Sequence, residues 1–202
     1  MTGLILSFLF FAVLHSITAA QWFKDRVVGL FGLGVYKGFY RLFYSAVSVL
    51  TLLPFVYFYF QLPDQPLYTI PFPWLWLFAL VQMAGLLGLV LSVLQSGALA
   101  FVGISQLIDY MSGRDVGQGS GLGETLVVHG LYRYMRHPLY TFSMLLLWAN
   151  PWMTRNNLIL TILISAYFII GSYIEENRLT SDFGESYSRY KGTVARFVPY
   201  IW

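Results

Sequence analysis

The sequence predicts an all-α, polytopic membrane protein of one domain with about five transmembrane helices. Three observations carry that prediction. Hydrophobic residues make up 57% of the 202 residues, aromatic residues 19%, and charged residues only 10%. A soluble domain carries roughly 25% charged residues, so this composition does not supply a water-facing surface. The mean hydropathy of +0.64 points the same way. The apolar residues are gathered into runs of span length, separated by short polar segments. A soluble globule, a disordered chain and a coiled coil are excluded. With no cysteine there is no disulfide, thiolate nucleophile or thiolate metal site. The net charge of +3, with no dense basic run, argues against nucleic acid.

The first run is Leu4–Trp22, interrupted only by His15 and small hydroxyl residues. Thr18-Ala19-Ala20 loosely imitates a signal cleavage site, but Met1-Thr2-Gly3 lacks the basic n-region of a signal peptide, so a retained span is expected. The second run is Leu42–Phe60. The third, Trp74–Leu94, opens on Trp74 and Trp76, residues suited to the membrane interface. Each is long enough, at 1.5 Å per residue, for a hydrocarbon core of about 30 Å. Between the second and third runs Pro63, Pro66, Pro71 and Pro73 forbid a helix and predict a short loop. Ser96–Tyr110 is mildly amphipathic, and Met111–Glu124 is polar and glycine-rich. The last two runs are Leu139–Ala149, short for a crossing, and Leu158–Ile174, joined as a helical hairpin by residues 150–157. Leu179, Phe183, Tyr187, Tyr190 and Val194 then fall on one helical stripe, with Gly184 placed as a C-cap. That tail is expected to lie on the cytoplasmic surface as an anchor or a lid.

The distribution of Lys and Arg orients these spans. With the N-terminus outside, Lys24, Arg26, Lys37 and Arg41 flank the first inner loop, and Arg114, Arg133 and Arg136 fall in the second. Arg178, Arg189, Lys191 and Arg196 occupy the inner tail, leaving only Arg155 outside. The positive-inside rule therefore predicts a cytoplasmic C-terminus. Within the single domain 1–202, residues 1–96 hold three spans and residues 97–202 hold the polar chemistry. No internal repeat suggests a transporter built from repeated halves.

The ionisable residues gather in that second half. GLYRYMRHPLY (Gly130–Tyr140) packs Arg133, Arg136, His137 and three tyrosines against the start of a span, with Pro138 suited to a first helical turn. Glu175 and Glu176 lie side by side at the inner end of the last span. Both groups fall on the predicted cytoplasmic face. Adjacent carboxylates beside a bilayer call for cationic or hydrogen-bonding partners, and Arg136 and His137 are the nearest set. Read separately, the arginines serve equally well as topology anchors and the glutamates as a solvated helix end. Gly117, Gly119, Gly121 and Gly123 imitate a phosphate loop, but no preceding strand or βαβ unit supports one, and a linker or lid is the expected use. His15, His129 and His137 lack metal-ligand spacing, so no metal site is expected. His15 reads as a packing residue.

Taken together, GLYRYMRHPLY and EENRLTSDFGESYSRYKGTVARFVP resemble the C-terminal signature of the isoprenylcysteine carboxyl methyltransferase-like membrane enzymes. Gly130, Tyr132, Arg136, His137, Pro138 and Tyr140 fill its first part. Glu175, Glu176, Leu179, Phe183, Gly184, Tyr187 and Tyr190 fill the second, and Arg196 and Pro199 close it. Within that superfamily, residues Trp148–Thr154 and Leu14-His15-Ser16 are similar to the methanethiol S-methyltransferase branch and to denitrification-associated membrane proteins. One departure stands out. Prenylcysteine enzymes carry an arginine one turn before the paired glutamates, where this chain has Gly171, which favours a small or lipophilic thiol acceptor over a prenylcysteine carboxylate.

The resemblance implies S-adenosyl-L-methionine as cofactor, in a cytoplasmic pocket formed by the C-terminal half. It implies Arg136 and His137 on the cofactor carboxylate, and as the catalytic pair. Glu175 or Glu176 would take the ammonium or the ribose hydroxyls. Backbone groups at Val127, Val128, His129 and Gly130 would read adenine, and Tyr132, Tyr140 and Tyr187 would offer ring faces. The expected partners are the thiol and membrane lipid, in a bacterial inner membrane, with no nucleic acid and no metal. Other readings are a prenylcysteine or phospholipid methyltransferase, a sterol-type nicotinamide-dependent reductase, and a non-enzymatic accessory protein. The reductase needs more basic surface and a longer chain than this one has.

Overall fold

The computed structural model describes residues 2–116 and 126–201. The glycines at 117, 119, 121 and 123 lie outside the described residues. The helices α1 (Thr2–Ala19), α2 (Gln21–Gln61), α3 (Leu75–Gln95) and α7 (Arg155–Phe183) are each long and apolar enough to cross a membrane. A shorter apolar helix, α6 (Pro138–Trp148), makes the fifth. The described residues are thus those of an all-α integral membrane protein, with α4 (Ala98–Val102), α5 (Ile104–Met111) and α8 (Glu185–Thr193) as short additions. They form two compact units.

The first unit holds α1, α2, α4 and α5. Helix α1 runs antiparallel to α2 on close contacts: Gly3 lies against the Phe58 ring, and the Phe8 and Phe55 rings are 5.4 Å apart. Small residues of this kind let apolar helices approach where water supplies no driving force. His15 is satisfied, as expected of a packing residue: Nδ1 lies 2.9 Å from Ser48 Oγ, and Nε2 2.5 Å from the Tyr44 hydroxyl. The inner loop expected over residues 24–41 is instead helical, and α2 runs for 41 residues. Its charges do not break the helix; the interruption is at Gly32, whose φ of 83° lies outside the helical range. Helix α5 packs on α2 with Tyr110 over Gly38, and Arg41 donates to the Phe101 carbonyl at 2.8 Å.

The second unit holds the remaining elements, and within it α3 packs against α6 of the C-terminal half. Gly85 and Gly88 on α3 admit Leu146 and Phe142 of α6, and Ser92 folds back on the Gly88 carbonyl at 2.6 Å. Helix α6 begins with Pro138 in its first turn and has 11 residues, about 16 Å. It lies along α7, with Trp148 Nε1 donating to Ser165 Oγ at 3.0 Å. About 15 Å of α7 precede Ser165.

The proline-rich loop is more ordered than its sequence suggests. It contributes β1 (Pro66–Thr69), which pairs antiparallel with β2 (Trp152–Thr154), a two-stranded sheet with no counterpart in the sequence pattern. Neither strand has the length or alternation that marks one in a sequence. Asp64 closes this end: its carboxylate accepts the Asn156 amide at 3.0 Å, next to the Thr154 side chain that caps α7. Burial would raise the Asp64 carboxyl. The bonds from Thr154, Asn156 and Gln65 and the charge of Arg155 outweigh it and hold the group below its usual range.

Candidate functional site

At the other end of α7, adjacent positions on the helix give Glu175 and Glu176 different surroundings. Glu176 is fully buried, at 0% exposure. One carboxylate oxygen accepts from Arg136 Nε at 2.8 Å, His137 Nε2 at 3.1 Å and Arg196 Nε at 3.1 Å. The other accepts from Arg196 Nη2 at 2.9 Å, with Lys191 Nζ 3.4 Å away. A carboxylate has about four lone-pair sites, and these contacts use them. Burying one carboxylate is costly; here it is compensated by several charged donors. Glu175, with 34% of its side chain exposed, accepts one bond, from the Tyr140 hydroxyl at 2.8 Å.

The sequence order explains the convergence. Gly130, at φ 61°, opens a 3₁₀ turn (Gly130–Arg133) against Gln95, whose Oε1 accepts the Leu131 amide at 2.8 Å. The chain then runs extended past Met135, which bridges Ala195 of the returning tail. The Arg136 and His137 amides donate to the Ala195 and Arg196 carbonyls at 2.9 and 3.0 Å. Thr141 ties the carbonyls of His137 and Phe197 together through its hydroxyl. Arg136 also donates through Nη1 to the Lys191 and Val194 carbonyls, so one guanidinium joins α7 to the tail. Arg196 lies 3.6 Å above the Tyr173 ring, a cation–π contact.

Gly184, at φ 57°, ends α7 as expected, its amide donating to the Thr180 carbonyl at 2.9 Å. The turn sends α8 back over the cluster. Tyr190 donates to the Tyr132 carbonyl at 2.5 Å. Tyr187 is 1% exposed, and among the described residues its hydroxyl has no hydrogen-bond partner. Burial, with the Glu176 charge beside it, pushes this phenol well above its usual range, so it remains a donor. A buried donor without an acceptor costs about 1–3 kcal/mol.

Of the residues singled out from sequence, Arg136, His137 and Glu176 meet directly, and Tyr140 joins them through Glu175. His137 Nδ1 lies 3.6 Å from Glu175, and its ring stacks on Tyr140 at 5.2 Å. Tyr132 takes part through its carbonyl, which accepts from Tyr190. Val127 and His129 lead into the 3₁₀ turn, and no side-chain bond ties them to the Glu176 cluster among the described residues. The reading of Glu176 as a ligand-facing carboxylate fits poorly with oxygens already engaged by protein cations. Arg196 and Lys191 were not singled out as site residues, although two adjacent glutamates signal a demand for more than one cation. Among the described residues no group of three or more His, Asp and Glu side chains is arranged to hold a metal.

Residues 3–170 match the family model described as NnrU protein, and the chain belongs to that family. Over 94% of its length it is 26% identical to methanethiol S-methyltransferase 1 of Bradyrhizobium diazoefficiens, covering 64% of that protein. A stretch of 69 residues, 34% of this chain and 26% of the relative, is 41% identical to methanethiol S-methyltransferase of a Pseudomonas species. Over 57% of this chain and 54% of the relative, it is 30% identical to protein-S-isoprenylcysteine O-methyltransferase of Schizosaccharomyces pombe. These matches bear out the superfamily resemblance read from the tail motifs. The chain spans between about a quarter and just under two thirds of the lengths of these relatives. No solved structure matches it.

Proposed function

We propose, starting from membership of the NnrU family, that this chain is an S-adenosylmethionine-dependent membrane methyltransferase acting on a small or lipophilic thiol. The observation that carries the reading is the division of labour between the paired glutamates. Glu176 is engaged wholly by protein cations, while among the described residues Glu175 keeps one oxygen uncommitted and Tyr187 an unanswered donor. A zwitterionic ligand with a ribose diol fits that donor set: the ammonium on Glu175, a hydroxyl or carboxylate oxygen on Tyr187, and the carboxylate on Arg136 Nη2. Backbone groups at Val127, His129 and Gly130 are assigned to the adenine edge. When bound, S-adenosylmethionine supplies an electrophilic methyl group on a sulfonium.

The protein's part is alignment and exclusion of water. His137 has a further role. Because ionised Glu176 only accepts, His137 Nε2 must carry a proton, which leaves Nδ1 bare in the neutral ring. A thiol arriving protonated would pass its proton to Nδ1, and the imidazolium would lie between two carboxylates. In this reading Arg136 and His137 remain the catalytic candidates, Tyr140 fixes Glu175, and Glu176 acts by holding both in place.

The test is calorimetry on detergent-purified protein with S-adenosylmethionine and, separately, with reduced nicotinamide dinucleotide. It is followed by gas chromatography of dimethyl sulfide formed from methanethiol. Binding of the nucleoside and methyl transfer to the thiol are expected. Dinucleotide binding alone would favour the reductase, and binding of neither would favour an accessory protein.

A further inference from the structure

A cavity lies in the tail. It has a volume of about 280 Å³ and is lined by Arg133, Tyr134, Thr193 and Tyr200 as its polar members, with Val194, Ala195 and Pro199 as the apolar ones. That is slightly below the roughly 300–1,000 Å³ of pockets that enclose a drug-sized molecule. It suits a single headgroup with the rest of its ligand outside.

Three further observations bear on what it takes. No carboxylate lines the cavity, and among the described residues Arg133 has neither an ion pair nor a side-chain hydrogen bond. The cavity therefore offers a guanidinium and two phenols to an anion, with no internal competitor. Tyr200 holds φ at 65°, in the left-handed region, although it is not a glycine. A bulky residue there is strained, and such strain clusters at ligand clamps. The chain does not bury the Tyr200 ring, which is 87% exposed, so its own packing does not account for the conformation. Val198 and Ile201, flanking the cavity residues, are exposed as well. A soluble anion has no use for that apolar surface, whereas a lipid does. The segment follows a membrane-length helix, where tyrosine and arginine match the headgroup layer.

We propose that this cavity is a headgroup site for an anionic phospholipid, with the phosphodiester on Arg133, the Tyr134 and Tyr200 hydroxyls as further donors, and the acyl chains along Val198 and Ile201. The site is independent of methyl transfer, and its failure leaves the reading of the Glu175 cluster untouched.

Native mass spectrometry of detergent-purified protein, titrated with phosphatidylglycerol or phosphatidylcholine, reads it directly. Phosphatidylglycerol is expected to bind more tightly than phosphatidylcholine. An interfacial Lys or Arg is worth about 1 kcal/mol toward anionic lipid, so Arg133→Gln should weaken binding about five-fold. Arg189→Gln removes the same charge from α8, where Arg189 pairs with Glu185 at 3.3 Å, and should leave binding unchanged. Tyr200→Gly relieves the positive φ and removes the phenol, so weaker lipid binding is expected with an unchanged or higher melting midpoint. Equal losses in both arginine variants would reduce the effect to diffuse charge and overturn the site. So would an absence of preference for phosphatidylglycerol, or its displacement by millimolar inorganic phosphate, which would mark a free-anion site.

Discussion

Replacing Glu176 by glutamine separates a residue that holds the site from one that faces a ligand. The change keeps the volume and one acceptor oxygen but removes the charge. It also turns an amide NH₂ toward donors: Arg136 Nε at 2.8 Å, Arg196 Nη2 at 2.9 Å and Lys191 Nζ at 3.4 Å all approach this carboxylate. Breaking a buried ion pair from one side costs about 3–5 kcal/mol, because the partner charge is left without compensation. At roughly 2–4 °C per kcal/mol for a chain of this size, the melting midpoint should fall by about 6–20 °C. Glu175→Gln keeps an acceptor oxygen for the Tyr140 hydroxyl and loses only the charge at a partly exposed position, worth at most about 0.5–1.5 kcal/mol. Its midpoint should barely move. Binding should order the two differently. Glu175→Gln should weaken S-adenosylmethionine binding about 10- to 150-fold in a stable protein, the loss of one charge-assisted bond. Glu176→Gln should lose binding together with stability. Thermal melts in detergent and calorimetry at a temperature where both variants are folded make the comparison. A Glu176→Gln protein as stable as the parent would refute the buried-keystone reasoning. Normal binding by a folded Glu175→Gln protein would remove Glu175 from the site.

Tyr187→Phe deletes the buried hydroxyl that has no acceptor. Without ligand the variant should be about 1–3 kcal/mol more stable in thermal melts, yet it should bind S-adenosylmethionine more weakly. A loss of stability would mean that the hydroxyl is already satisfied. The predicted orientation is checked by reporter fusions, which should read the loop at residues 61–73 as external and the C-terminus as internal.

The membrane fold was legible because length and hydropathy alone decide whether a helix can cross, and those are sums over residues that neighbours do not alter. The helix at Gln21–Phe31 was missed for the opposite reason. Lys24, Asp25 and Arg26 read as loop residues on a scale of hydropathy, but none of the three is buried in the helix, so their charges do not oppose it. The two-residue-period signal that would reveal β1 and β2 requires more length than three or four residues provide, and their pairing joins segments more than 80 positions apart.

At the site, the motif located Arg136, His137 and Glu176 because adjacent carboxylates beside a membrane demand cations, a requirement that follows from charge alone. What it could not apportion was which glutamate receives them. Both belong to one helix, and 100° of rotation between neighbours decides the matter: Glu176 turns toward the returning tail that brings Lys191 and Arg196, while Glu175 turns toward Tyr140. That rotation is set by the packing of α6 against α7 and by the path of the chain after Gly184, neither of which the local spacing contains. The paired glutamates therefore work as two different groups. The tail supplies the cations that fix one of them and leaves the other partly exposed beside Tyr140, the group that a ligand would meet.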